Sequence, residues 1–155
     1  MTSKLLFTAL AAVACLLAAA TTAAAQAPLC TISTTSVNFG NYNVFNASNL
    51  DSTGTITYNC NSTAANITVT LSKGASSTYN PRTMKKGAEV LNYNLYRNSA
   101  RTNIWGDGTA GTQIYTRANP PNGNNVNVTV YGRIPAGQDV SAGAYSDTVT
   151  AVINF

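Results

Sequence analysis

Thr55-Ile-Thr-Tyr-Asn-Cys60, followed after a short polar break by Asn66-Ile-Thr-Val-Thr-Leu-Ser72, is the stretch that decides the fold class. Ile56, Tyr58 and Cys60 recur at every second position, with Thr55, Thr57 and Asn59 between them. Ile67, Val69 and Leu71 repeat the pattern against Asn66, Thr68, Thr70 and Ser72. Side chains alternate between faces in a strand, whereas a helix places its apolar residues three and four apart. β-branched and aromatic residues on the apolar face and threonine on the other mark a half-buried strand.

Working outward, the same period appears four more times. Val37-Asn-Phe39-Gly-Asn-Tyr42 predicts a first strand and Leu91-Asn-Tyr-Asn-Leu95 a middle one. Residues 125–134 put Val126, Val128, Val130 and Ile134 on one side. Residues 147–155 turn Val149, Ala151, Ile153 and Phe155 inward, with Thr148, Thr150 and Asn154 outward. Turn-forming clusters separate the runs: Lys73-Gly74, Asn80-Pro81, Gly106-Asp-Gly108, Pro120-Pro-Asn-Gly123 and Ser141-Ala-Gly143. Six such strands predict an all-β, immunoglobulin-like β-sandwich. No internal repeat, linker or second domain is visible.

The first 25 residues read differently. Lys4 precedes an apolar run from Leu5 to Ala20, and Ala23-Ala24-Ala25 supplies small residues before Gln26. That order is a secretory signal peptide over residues 1–25, with a single domain over residues 26–155. The apolar run is shorter than the roughly 20 residues that span a bilayer core. A lipoprotein signal with Cys15 as the lipidated residue is the rival, but Ala12-Val13-Ala14 lacks the usual leucine three positions upstream. Cleavage after Ala25 discards Cys15 and leaves Cys30 and Cys60, which in an oxidising compartment read as one disulfide. Two free buried thiols are the alternative.

Function classes are narrowed by what is missing. The chain has no histidine, so Ser/His/Asp, Cys/His and histidine-based metal sites are excluded. Asp51, Glu89, Asp107, Asp139 and Asp147 are scattered, whereas a glycosidase needs two carboxylates across one bond. No enzyme, metal, cofactor or small-molecule substrate is expected. Lys73, Arg82, Lys85, Lys86, Arg97 and Arg101 form a basic run. In an exported chain diluted by Thr, Ser and Asn it reads as a solvated loop and not as a nucleic-acid surface. Trp105-Gly-Asp-Gly108 lacks the ligand spacing of a calcium loop and reads as a loop apex. Tyr93, Tyr96, Trp105, Tyr115 and Tyr131 could form a sugar-stacking platform, against the reading of most as core or sheet-face residues.

Several short motifs together carry a family resemblance. They are Cys30, Phe39-Gly40-x-Tyr42, Gly54-x-Ile-x-Tyr-x-Cys60, Leu71-Ser-x-Gly74, Arg82-x-Met84, Leu91-x-Tyr-x-Leu-Tyr96 and Trp105-Gly-Asp-Gly108. Tyr131-Gly-Arg-Ile134, Gln138 and Gly143-x-Tyr-x-Asp147 leading to Phe155 complete the order. The chain resembles the spore coat protein U domain family, similar to the pilins of archaic chaperone–usher systems. The resemblance implies an incomplete sandwich of six or seven strands, open beside its C-terminal strand. It also implies a groove with Val149, Ala151, Ile153 and Phe155 on one wall and Val37 and Phe39 on the other. A periplasmic pilus chaperone would fill the groove with a strand of its own, and another pilin-like subunit would later replace it at an outer-membrane usher. The C-terminal carboxylate of Phe155 would dock on basic residues of the chaperone. The expected destination is the periplasm, then the cell surface or an extracellular fibre.

Two roles follow, a structural subunit of a fibre or coat and a tip adhesin for a carbohydrate or abiotic surface. Loop tips of Gly, Asn, Ser and Pro favour the first. Only Gln26-Ala-Pro-Leu29 would precede Cys30 after cleavage, too little for a donor strand, so the expectation is a subunit that accepts a strand and gives none.

Overall fold

The computed structural model describes residues 29–61 and 64–155. The expected signal peptide, its cleavage site, Cys15 and residues 26–28 lie outside the described residues. Eight strands form: β1 (Leu29–Thr35), β2 (Leu50–Asn61), β3 (Asn66–Leu71), β4 (Arg82–Lys86), β5 (Glu89–Tyr96), β6 (Tyr115–Ala118), β7 (Val126–Ile134) and β8 (Ala151–Asn154). They make a five-stranded sheet in the order β1-β2-β7-β5-β4 and a three-stranded sheet in the order β6-β3-β8. Every pairing is antiparallel.

The alternation of the sequence becomes the inside and outside of the sandwich. In β2 the buried positions are Gly54, Ile56, Tyr58 and Cys60; in β3 they are Ile67, Val69 and Leu71. The central core joins these two strands to Leu91, Tyr93, Leu95, Trp105, Val130 and Ile134. Each fully buried aliphatic side chain of this set contributes about 1.5–3 kcal/mol of burial free energy. Trp105 is wholly buried and donates its indole N–H to the carbonyl of Val69 at 3.0 Å, so its polar atom is satisfied inside the core. A second cluster, Cys30, Tyr58, Cys60, Ala64 and Ile67, closes one end. There Cys30 and Cys60 face each other across the β1–β2 ladder and are joined as a disulfide. A cross-link over a separation of 30 residues stabilises by about 3–4 kcal/mol in the chain-entropy account.

Three expectations are corrected in detail. The first ladder runs over β1, ahead of residues 37–42, which are irregular. Val37 and Phe39 do turn inward, but a Cβ added at Gly54 would meet Val37 at 2.8 Å, and one at Gly132 would meet Val37 at 2.6 Å and Phe39 at 2.7 Å. The backbone has left the β1–β2 ladder to let those side chains cover the two glycines, so period two reports a face and not a hydrogen-bonded partner. Likewise only Ala151–Asn154 of residues 147–155 pair as a strand. Finally there are eight strands against the six or seven expected, because β4 and β6 carry too few apolar residues to be read as strands.

The expected basic loop is also corrected, since Arg82, Lys85 and Lys86 stand in β4 and pair with β5. Arg82 is completely buried at the start of β4. Its guanidinium donates to the carbonyls of Ser72 and Trp105 and to Asn94 Oδ1, and it stacks over the Tyr79 ring. Arginine enters a core only when its fork of donors finds this many acceptors.

Candidate functional site

Among the described residues β8 is an edge strand: it pairs with β3 on one side and with no described strand on the other. β1 is the edge of the facing sheet on that same side. The two edges approach each other without forming a ladder. Beyond them residues 34–39 part from residues 147–151, and a cavity of about 180 Å³ opens between, with Thr34, Thr35, Ser36 and Asp147 interspersed among its apolar lining residues. That is the scale of a cavity which admits a benzene-sized group. Val37, Phe39, Val149 and Ala151 line it, and core residues Ile56, Leu71, Leu95 and Val130 form its floor. It is continuous, through Val37, Phe39, Met84 and Asp147, with a wider cleft of about 930 Å³ between residues 36–44 and 140–147.

The six residues expected to line a groove are therefore distributed as follows. Val37 and Phe39 stand on one wall and Val149 and Ala151 on the other. Ile153 lies further along β8, opposite Val69, packed against both apolar clusters. Phe155, past the end of the ladder, is 52% exposed. None of the six is fully buried, whereas Ile56, Ile67 and Val69 behind them are at most 2% exposed. The walls consist of apolar side chains that the fold covers only halfway.

The wide cleft is pinned by polar contacts that the sequence did not reveal. Glu89, beside the β4–β5 turn, accepts from Ser141 Oγ at 2.5 Å and from the Tyr145 hydroxyl. Lys86 Nζ stands 3.3 Å from Glu89 Oε2 and donates to Ser141 Oγ and to the Ala142 carbonyl. The hydroxyls of Ser141 and Tyr145, followed by Lys86, hold the Glu89 carboxyl down to about 2. On the other wall Tyr42 donates to the carbonyl of Pro135 at 3.0 Å and accepts from Gln138 N at 2.9 Å.

The same wall carries a residue that the sequence reading passed over. Phe45 is 92% exposed, in a turn closed by Asn43, whose side chain accepts from Phe45 N and whose carbonyl accepts from Asn46 N. The aromatic set divides instead of forming one platform. Tyr93 and Trp105 are core, while Tyr96 and Tyr131 are cross-strand neighbours on β5 and β7. Tyr115 packs on Trp105 and Tyr58, with the Arg97 guanidinium over its ring. Asp107 accepts from Thr109 N and Oγ1 within its own turn and also from the Tyr79 hydroxyl.

Residues 14–152 match the Spore Coat Protein U domain, and the chain belongs to that family. Among curated proteins it is 33% identical to "Protein U" of Myxococcus xanthus over 133 residues, 77% of this chain and 71% of that protein. Among solved structures it resembles a chain of the CsuC–CsuE chaperone–tip adhesion subunit pre-assembly complex, from archaic chaperone–usher Csu pili of Acinetobacter baumannii. The TM-score is 0.59 and the identity 27%, over 83% of this chain. This chain spans 40% of the length of that one.

Proposed function

We propose that this protein is a non-enzymatic subunit of a chaperone–usher surface fibre or coat, built to accept a β-strand from another chain. The observation that carries this reading is the half-covered apolar slot between the unpaired edge of β8 and residues 34–39. An incoming strand in that slot would satisfy the β8 edge by main-chain hydrogen bonds and place alternate side chains between Val37, Phe39, Val149 and Ala151. An uncovered edge beside apolar walls is otherwise an aggregation hazard. Family membership and the resemblance to a subunit–chaperone assembly support the same role. The partners proposed are a periplasmic pilus chaperone first, then pilin-like subunits at an outer-membrane usher. This requires export, which the N-terminal sequence suits.

The test is coexpression of the full-length gene with a periplasmic chaperone of the archaic pilus type. A stable one-to-one complex is expected. Val149→Lys should abolish it, because a charge would be buried unpaired against the inserted strand. A chain that is monomeric, unfolds cooperatively and ignores the chaperone would show a fold closed on itself.

A second reading, a tip adhesin for a carbohydrate or abiotic surface, is favoured by one observation, the outward Phe45. Phe45→Ser should then lower adhesion to hydrophobic plastic while leaving chaperone capture unchanged. Equal adhesion of the two proteins would remove this reading.

A further inference from the structure

One wall of the groove is held by contacts that reach past Leu71–Ala151, the last pair of the β3–β8 ladder. The segment from Asp147 to Thr150 precedes β8 and belongs to no strand, yet it carries Val149. It is held instead by the turn that follows β3. Ser72 N donates to the Thr150 carbonyl at 2.9 Å, and Ser72 Oγ accepts from Thr150 N at 2.9 Å. Ala75 N donates to Asp147 Oδ1 at 2.8 Å. Gly74, between them at φ +67°, has no Cβ because the Asp147 carboxylate occupies that space. From the core side, the buried Tyr93 hydroxyl donates to Asp147 Oδ2 at 2.6 Å.

Arg82 underpins the turn. Its Nε and Nη2 both donate to the Ser72 carbonyl, at 3.1 and 2.9 Å, so one residue is held by Arg82 through its C=O and by Thr150 through its N–H and hydroxyl. None of Arg82's hydrogen bonds goes to a carboxylate. Burial weakens its charge, and Tyr93, Tyr79 and then the Asp147 carboxylate act against that burial. Burying a guanidinium without compensation is costly. The cation is therefore accommodated best once residues 147–150 have docked.

We propose that Arg82, the Ser72–Ala75 turn and Tyr93 form a clamp on Asp147 that sets the position of the groove wall carrying Val149. These are positioning residues for the incoming strand. The inference rests on the strand-accepting reading for its purpose, but not for its geometry.

Tyr93→Phe tests it most cleanly, because it removes the hydroxyl bond and keeps the ring, which packs edge-on against Phe39 at 6.1 Å. Gly74→Ala is the second variant, pushing a methyl into the carboxylate. Two quantities are measured on the exported full chain. Amide hydrogen exchange should quicken at residues 147–151 by about tenfold, with β2 and β7 unchanged, because removal of one charge-assisted bond shifts a local opening by about that factor. Release of a bound chaperone should quicken by a similar factor. Exchange that rises equally across both sheets, or a release rate equal to wild type, would overturn the clamp. If wild-type protein captures no chaperone, the strand-accepting reading falls, while the exchange pattern in the free chain still judges the clamp.

Discussion

The interior of the five-stranded sheet and the β1–β8 side of this sandwich contrast with each other. In the interior of the five-stranded sheet, β2 and β7 have neighbours on both edges, and Ile56, Tyr58, Cys60 and Ile134 are at most 2% exposed. On the β1–β8 side the apolar alternation is just as regular, yet Val37, Phe39, Val149, Ala151 and Ile153 stay half-exposed. The difference lies in strand completion and not in composition. Apolar side chains on a strand are covered only when something packs over them and a neighbour seals the edge. On one side the chain provides both; on the other the described residues place no strand beyond β8.

Breaking the closed side should have the largest effect. Trp105→Ala removes a wholly buried indole and its bond to Val69, and should destabilise by about 3–5 kcal/mol, enough to unfold a marginal domain. Denaturant unfolding of the purified chain checks this. A loss near 1 kcal/mol would mean that the closed side is not a packed core. Replacing Cys30 and Cys60 together by serine should come next, at about 3–4 kcal/mol. Thiol titration of denatured wild-type protein should find no free thiol if both cysteines are bonded and Cys15 has been removed.

The open side should respond in the opposite proportion. Val149→Ala should cost about 1 kcal/mol or less in the free subunit, as half-exposed sites do. If the slot accepts a strand, the substitution should nevertheless weaken chaperone capture measurably, because an inserted strand would pack on this side chain. Equal losses in both assays would erase the distinction between the two sides.

The smallest effect concerns the cleft lock at Glu89. Its carboxyl is held at about 2, below its ordinary 4.5, so its contribution is fully present above about 4.5. It is lost as the pH falls from there through 2. Acid should therefore loosen residues 141–145 in that window, and Glu89→Gln should flatten the dependence. Asp107, also near 2, titrates in both proteins and drops out of the difference. Fluorescence from a probe on the 141–145 loop reads it.

Most of the sandwich was legible because five of its strands carry period two over several residues, and a period of two has one physical meaning. The ends of the ladders were not. Residues 37–42 and 147–150 keep the alternation while their backbones leave the sheet, one to cover Gly54 and Gly132, the other to meet Ser72. β4 was hidden because its first residue is a buried arginine, whose acceptors come from Ser72, Asn94 and Trp105, distant in sequence. Val37, Phe39, Val149 and Ala151, which the alternation turns inward, do come together around one cavity. Phe45 was not legible, since a single phenylalanine among asparagines gives no periodic signal.

Amide exchange across β8 tests the central claim most directly, compared between the free subunit and the chaperone complex. An open edge predicts that alternate amides of residues 150–154 exchange quickly in the free protein. They should become protected on capture, while those of β2 and β7 stay unchanged. Protection of every β8 amide in the free monomer, unaltered by the chaperone, would contradict it.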